Sequence, residues 1–277
     1  MSDDTTIDPR DGELRYCLRD VITVNPGDMK RFEHLMQTKV LKLFQTSGWK
    51  LVNASYAASG NTNTVVHLWH MPSADSLLSN MLQFLENEDY SKLHACVLNE
   101  EQQILSPTRM CPLIDFQTRK RVQDGERQFL AQTVVVRKPG KDEGRPVGMT
   151  AFLRSFAVLV PLFALRGWDL VHSSYSVTGR PSTIVNLFEV SQAGDLIDLP
   201  RSFVGDPYES VFRSLALSID SEERRLIAPL NYCPILTTKA LGWQRLTNIF
   251  EATKDDSASD YTRVLYQLKK KGGSRES

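Results

Sequence analysis

Residues 48–71 and 167–190 are two versions of one segment. GWKLVNASYAASGNTNTVVHLWHM and GWDLVHSSYSVTGRPSTIVNLFEV align without a gap at an offset of 119, with ten identities in 24 positions. A second block repeats at an offset of 122, sharing Glu100/Glu222, Glu101/Glu223, Pro107/Pro229, Cys111/Cys233 and Pro112/Pro234. A period of this length means one unit used twice. The 277 residues are therefore read as two copies of one unit rather than one large domain. The expected boundaries are a disordered N-terminus at 1–12, a first repeat at 13–113, a linker at 114–126, a second repeat at 127–236 and a C-terminal helical extension and tail at 237–277.

Each copy carries the same order of local patterns. In copy one, the alternating β-branched run 13–24 predicts a strand, and Pro26-Gly27-Asp28 opens a helix that stops at Gly48. Two strands follow at 49–57 and 63–71. Helical spacing runs over 74–100, and a last strand covers 102–110. Copy two repeats this with strands at 127–137, 168–177, 183–190 and 224–232, and helices at 147–166 and 207–219. Strand, helix, two strands, helix, strand is the ferredoxin-like order. One such sheet leaves a face bare. Val65, Val66, Leu68 and Trp69, with Ile184, Val185, Leu187 and Phe188, are apolar on both sides of their strands. Strands buried on both faces read this way. The fold class expected is thus α+β, with tandem ferredoxin-like repeats closing face to face into a pseudodimeric dimeric-α/β-barrel fold.

The run Gly-Trp-x-Leu-Val, a small polar strand, a turn glycine and Thr-x-Val-x-Leu-Trp/Phe, followed by the ERRLIAPL-like strand, resembles the NIPSNAP family of the dimeric α/β-barrel superfamily. The resemblance covers 13–113 and 127–236 in tandem. It implies the fold. The wider superfamily holds cofactor-independent monooxygenases, haem enzymes, cyclases and pure binding proteins, so the chemistry stays open.

Composition narrows the field. There are 33 Lys+Arg against 33 Asp+Glu, which gives no basic footprint for nucleic acid or for a membrane surface. Four cysteines form no CxxC and no local zinc spacing, so neither a disulfide scaffold nor a zinc module is expected. The polar N-terminus has no apolar signal segment, and a cytoplasmic setting is expected. No P-loop, GxSxG, HExxH or GxGxxG unit is present, and no metal is expected.

Differences between the copies point to candidate sites. Asn53 and His67 in copy one become His172 and Asn186 in copy two. If each hairpin folds about Gly60 or Gly179, each copy holds one directly opposed Asn–His pair, within hydrogen-bond reach. An amide can fix an imidazole tautomer, so these four are the candidate catalytic residues. The competing reading is a satisfied polar pair with no ligand. Tyr56, Tyr175 and Trp69 are candidate ligand-lining residues, since the superfamily resemblance implies a ligand between helix and sheet. His94, without a counterpart in copy two, is the one helix histidine that the resemblance offers as a haem ligand.

Helix 148–165 is apolar where 29–46 is charged: at the repeat offset Glu33 becomes Phe152 and Gln37 becomes Phe156. A helix apolar all round is buried all round. Its covering could be the C-terminal extension, a second copy in a homodimer, or a ligand pocket lined by Phe152 and Phe156. Arg154 and Pro161 argue against a membrane span. Function is then a small, mostly apolar metabolite bound and transformed without a cofactor, as an oxygenase, isomerase or cyclase would do. A non-catalytic binding or interaction protein and a haem enzyme are the alternatives.

Overall fold

The structure, a computed structural model, describes residues 16–58, 63–108, 110–111, 129–137, 149–180, 182–190 and 195–234. The expected N-terminal tail, linker 114–126, turn glycine Gly60 and extension 237–277 lie outside these residues. The first half runs β1 (Tyr16–Val24), α1 (Met29–Leu35), a π-helical turn (Met36–Val40), α2 (Leu41–Thr46), β2 (Lys50–Ala57), β3 (Thr64–Met71), α3 (Asp75–Leu85), α4 (Glu88–His94) and β4 (Val97–Pro107). The second half runs β5 (Phe129–Arg137), α5 (Met149–Ala164), β6 (Trp168–Ser176), β7 (Thr183–Val190), α6 (Asp195–Arg201), α7 (Glu209–Leu217) and β8 (Ile219–Pro229).

The eight strands are antiparallel and close into a barrel in the order β1-β3-β2-β8-β5-β7-β6-β4. Each half contributes four adjacent strands in the same relative order. Two short seams join them. Ser55–Ala57 of β2 pairs with Ile227–Pro229 of β8, and Leu105–Pro107 of β4 pairs with Ser174–Ser176 of β6. Closure leaves no sheet edge to protect. The central strands β3 and β7 are buried at every position, as their unbroken apolar runs predict.

Each sheet face has its own core. Outward, under the helices, Phe32, Phe44, Trp49, Trp69 and Phe84 pack in the first half, and Phe152, Phe156, Phe163, Trp168 and Phe188 in the second. Each such ring contributes about 1.5–3 kcal/mol by leaving water. Inward, smaller clusters fill the barrel: Cys17, Val52, Leu68, Leu105 and Val185, and Leu130, Val171, Leu187 and Ile227. Gly48 and Gly167 end their helices at φ of +81° and +82°, the left-handed cap that glycine takes without steric cost.

Some boundaries differ from the sequence pattern. The 74–100 pattern is two helices, because the Asn87 side chain accepts from the Asp89 and Tyr90 amides and starts a new one. β4 and β8 begin earlier than expected, at Val97 and Ile219, where solvent-facing polar residues mask the alternation. Helix α6 was not legible.

The helix comparison needs a correction. In the first half, Phe32, Met36, Val40 and Phe44 are buried, and the Leu41 amide bonds to the Met36 carbonyl across the π turn. In α5 the buried set is Phe152, Phe156, Leu159 and Phe163. The π turn adds one residue, so Phe152 matches Phe32 and Phe156 matches Met36. The polar face is lost only beyond that point, where Ala157, Val160 and Pro161 are buried. Leu199, Phe203 and Leu215 share the cluster of α5. The α5 core thus packs against α6, the turn after it and α7 within one chain.

Candidate functional site: two clefts and a barrel interior

The predicted Asn–His pairs do not form. β-Bulges between Leu51 and Asn53, and between Leu170 and His172, shift each hairpin by one residue. Asn53 lies opposite Leu68, His67 opposite Ala54, His172 opposite Leu187 and Asn186 opposite Ser173. A one-residue shift changes the face. Asn53 and His172 therefore point into the barrel, while His67 and Asn186 point under the helices.

In the first half, His67 Nε2 lies 2.8 Å from the Tyr232 hydroxyl, and its ring stacks on Phe32. Tyr232 follows β8, so the second half closes the first half's cleft. Met110, after β4, joins the second half's core in the equivalent position. Burial pulls the His67 pKa down to about 3, so the imidazole is neutral at physiological pH. That argues against a resting general base, which works best near the operating pH. Asp20 pairs across the ladder with His67. Burial, then the charge and hydrogen bond of Glu100, push the Asp20 carboxyl well above the usual range, against the opposing pull of Arg19. Asp20 and Glu100 line a cavity of about 20 Å³ with Tyr90 and His94.

His94 is half-exposed and sits 3.8 Å from Glu100. A space of about 20 Å³ beside it does not fit a haem. Trp69 belongs to the aromatic core with Phe44 and Trp49. Tyr56 packs on the same core, and Tyr175 is exposed, so neither tyrosine lines a described cavity.

The second half's cleft is different. A cavity of about 70 Å³ is lined by Phe152, Phe156, Phe163, Trp168 and Phe188, with Thr133 and Asn186 on its floor. Phe152, Phe156 and Asn186 are thus brought together. Asn186 Nδ2 donates to Thr133 Oγ1 at 3.3 Å, and the buried Asn186 Oδ1 has no hydrogen-bond partner among the described residues. At the cavity's edge Arg224 forms a two-point ion pair with Glu222 at 2.7 and 2.8 Å. Asp20, His67, Tyr90 and Tyr232 of the first cleft correspond here to Thr133, Asn186, Phe212 and Met110. One cleft carries buried titratable groups; the other is largely aromatic, with the Arg224–Glu222 pair at its edge.

Inside the barrel, His172 Nδ1 lies 3.4 Å from Cys111 Sγ and Nε2 lies 3.0 Å from Ser174 Oγ. Asn53 takes the equivalent place in the first half, with Ser55 Oγ donating to it at 2.8 Å and Cys233 Sγ at 3.6 Å. A larger polar opening of about 340 Å³ is lined by Arg19, Glu101, Glu223 and Arg225. Sequence reasoning missed Asp20, Glu100 and Tyr232. The available signals were an acid within a β-branched strand and the exchange of Met110 for Tyr232 beside the repeated cysteine.

A closed antiparallel barrel with helices packed outside it and a cleft under each helical layer places the chain among proteins of the dimeric α/β-barrel type. Within that class, residues 19–112 match the NIPSNAP family model. The similar solved structures include a candidate monooxygenase from Lactobacillus acidophilus NCFM, at a TM-score of 0.52 and 8% identity over 81% of this chain and 100% of that one. A candidate monooxygenase from Fusobacterium nucleatum superposes at 0.53 with 11% identity, covering 80% and 97%. An anthrone oxidase-like protein superposes at 0.50 with 5% identity, covering 81% and 97%. These likenesses are of fold. No curated protein matches the chain by sequence. No helix among the described residues is long and apolar enough to cross a membrane.

Proposed function

We propose that the chain is a tandem of ferredoxin-like repeats, 13–113 and 127–236, clasped as an in-chain pseudodimer that binds a small, mostly apolar metabolite in the second half's cleft. The carrying observation is Asn186, whose amide nitrogen donates to Thr133 Oγ1 and whose buried amide oxygen has no hydrogen-bond partner among the described residues, on the wall of a largely aromatic cavity. Pockets of this kind take an apolar body and fix it through a few polar groups. Here the amide oxygen accepts a hydrogen bond from a ligand hydroxyl or N–H. Titration calorimetry with phenol and benzene tests this. Phenol should bind about 3–10-fold more tightly, the worth of one hydrogen bond, and Asn186→Leu should abolish the difference. Equal affinity for both in the unmodified chain would sink the reading.

A cofactor-independent enzyme is the second reading, favoured by the first half's cleft. Burial, with the Glu100 carboxylate beside it, pushes the Asp20 carboxyl well above the usual carboxylate range. A carboxyl kept protonated at neutral pH is a general acid in waiting. Carbon-13 NMR of the Asp20 carboxyl reads this directly, and an ionised Asp20 at pH 7 removes the argument.

A further inference from the structure

Cys17, His70 and His172 all lie buried inside the barrel, and their candidate ligand atoms fall within 4.8 Å of one another. Cys17 and His70 are directly paired across β1 and β3, so both project to one face. His172 arrives from the opposite half on β6. A fourth ligand is at hand: Cys111 Sγ stands 3.4 Å from His172 Nδ1. The turn carrying Cys111 is tied to β6 by the Thr108 amide, which donates to the Ser173 carbonyl at 2.9 Å, and by Thr108 Oγ1 to Ser173 Oγ at 2.9 Å.

We propose that Cys17, His70, Cys111 and His172 form a closed structural zinc site that locks the two halves together. Zinc takes two sulfurs and two nitrogens at about 2.3 and 2.0–2.1 Å, which sets neighbouring ligands roughly 3.3–3.8 Å apart. The Cys111–His172 distance already falls in that range, and the ligand atoms of Cys17, His70 and His172 close in by about 1 Å at most. Two thiolates and two neutral imidazoles cancel the metal's double charge. A neutral assembly is what a water-poor interior tolerates. Ser174 Oγ bonded to Nε2 leaves Nδ1 to face the metal, the usual outer partner of a ligating histidine.

The equivalent position supports specialisation. There the pair corresponding to Cys17 and His70 is Leu130 and Glu189, matched across β5 and β7, and Asn53 and Cys233 stand for His172 and Cys111. Leu130 cannot bind a metal, so of these two equivalent places one holds four candidate ligands. Local cysteine spacing could not reveal the set, because its members come from β1, β3, β6 and the turn after β4.

The test uses the full chain without a polyhistidine tag. It is refolded with excess Zn²⁺ or Co²⁺, dialysed and measured for metal by mass spectrometry. One zinc per chain is expected, and the cobalt form should show tetrahedral d–d bands with thiolate-to-cobalt charge transfer. Cys111→Ser and His70→Gln should weaken zinc binding about 10–100-fold, whereas Cys96→Ser should retain it. Circular dichroism checks that each variant is folded. Folded unmodified chain that retains no zinc, or a cobalt form without thiolate charge transfer, overturns the proposal. The spectrum does so independently of any variant.

Discussion

Tyr232→Phe removes one oxygen and no packing volume. In the native chain that oxygen lies 2.8 Å from His67 Nε2, both groups are buried, and His67 Nδ1 has no hydrogen-bond partner among the described residues. The substitution leaves a neutral imidazole buried without its bond, a loss of about 1–3 kcal/mol. At about 2–4 °C per kcal/mol for a chain near this size, Tm should drop by roughly 2–12 °C. Phe has the shape of Tyr, so no cavity cost is added. Because replacing both partners by apolar groups can be nearly neutral, Tyr232→Phe combined with His67→Phe should recover about 1–2 kcal/mol relative to the summed single effects. Urea denaturation of all four forms gives the cycle. A Tyr232→Phe variant as stable as the parent, or a cycle with no coupling, would refute closure of the first cleft by the segment after β8.

Further outcomes follow from the same geometry. His67 titrates near 6.5 when unfolded and near 3 when folded, so the unfolded chain binds the extra proton. Its contribution is therefore fully present above pH 6.5 and is lost at about 1.4 kcal/mol per pH unit as pH falls towards 3. Asp20 acts oppositely: its raised folded pKa makes its contribution present at low pH and lost as pH rises. Acid denaturation of His67→Phe should show the shallower slope below pH 6.5, and an unchanged slope would contradict a neutral buried His67. Phe156→Ala should cost about 3–5 kcal/mol in urea melts and open the second cleft to larger apolar ligands, read by calorimetry. Deleting Lys39, exposed in the π turn, should leave stability within about 1 kcal/mol, because it converts the 32-36-40-44 spacing to that of α5. Deleting Val158 from α5 should instead misplace a core phenylalanine and cost about 3–5 kcal/mol in the same melts.

The architecture was legible because burial repeats with sequence. Gly48 and Gly167, Trp49 and Trp168, and the doubly apolar β3 and β7 occupy the same environments in both halves. The registers were not legible because single added residues leave little trace. The bulges occur at Val52 and Val171 alike, so comparing the halves cannot reveal them. The π turn occurs in one half alone, and its signature is a spacing of four where α5 has three, between Met36 and Val40. One added residue in a strand turns the chain from one face to the other. That is why Asn53 and His67, read as partners, belong to different compartments.

The same shift explains how the halves specialised without changing the fold. Positions 67 and 186 face the clefts, and positions 53 and 172 face the barrel, so the two Asn–His exchanges each altered one compartment, independently of the other. A histidine at 67 meets Tyr232 and stands opposite Asp20, and the first cleft becomes polar and tightly filled. An asparagine at 186 meets Thr133 among phenylalanines, and the second cleft stays open and apolar. A histidine at 172 meets Cys111, and at 53 an asparagine meets Cys233. Cys111 thus faces an imidazole and Cys233 an amide. Each half is completed by the segment that leaves the other, so neither cleft is the property of a single repeat.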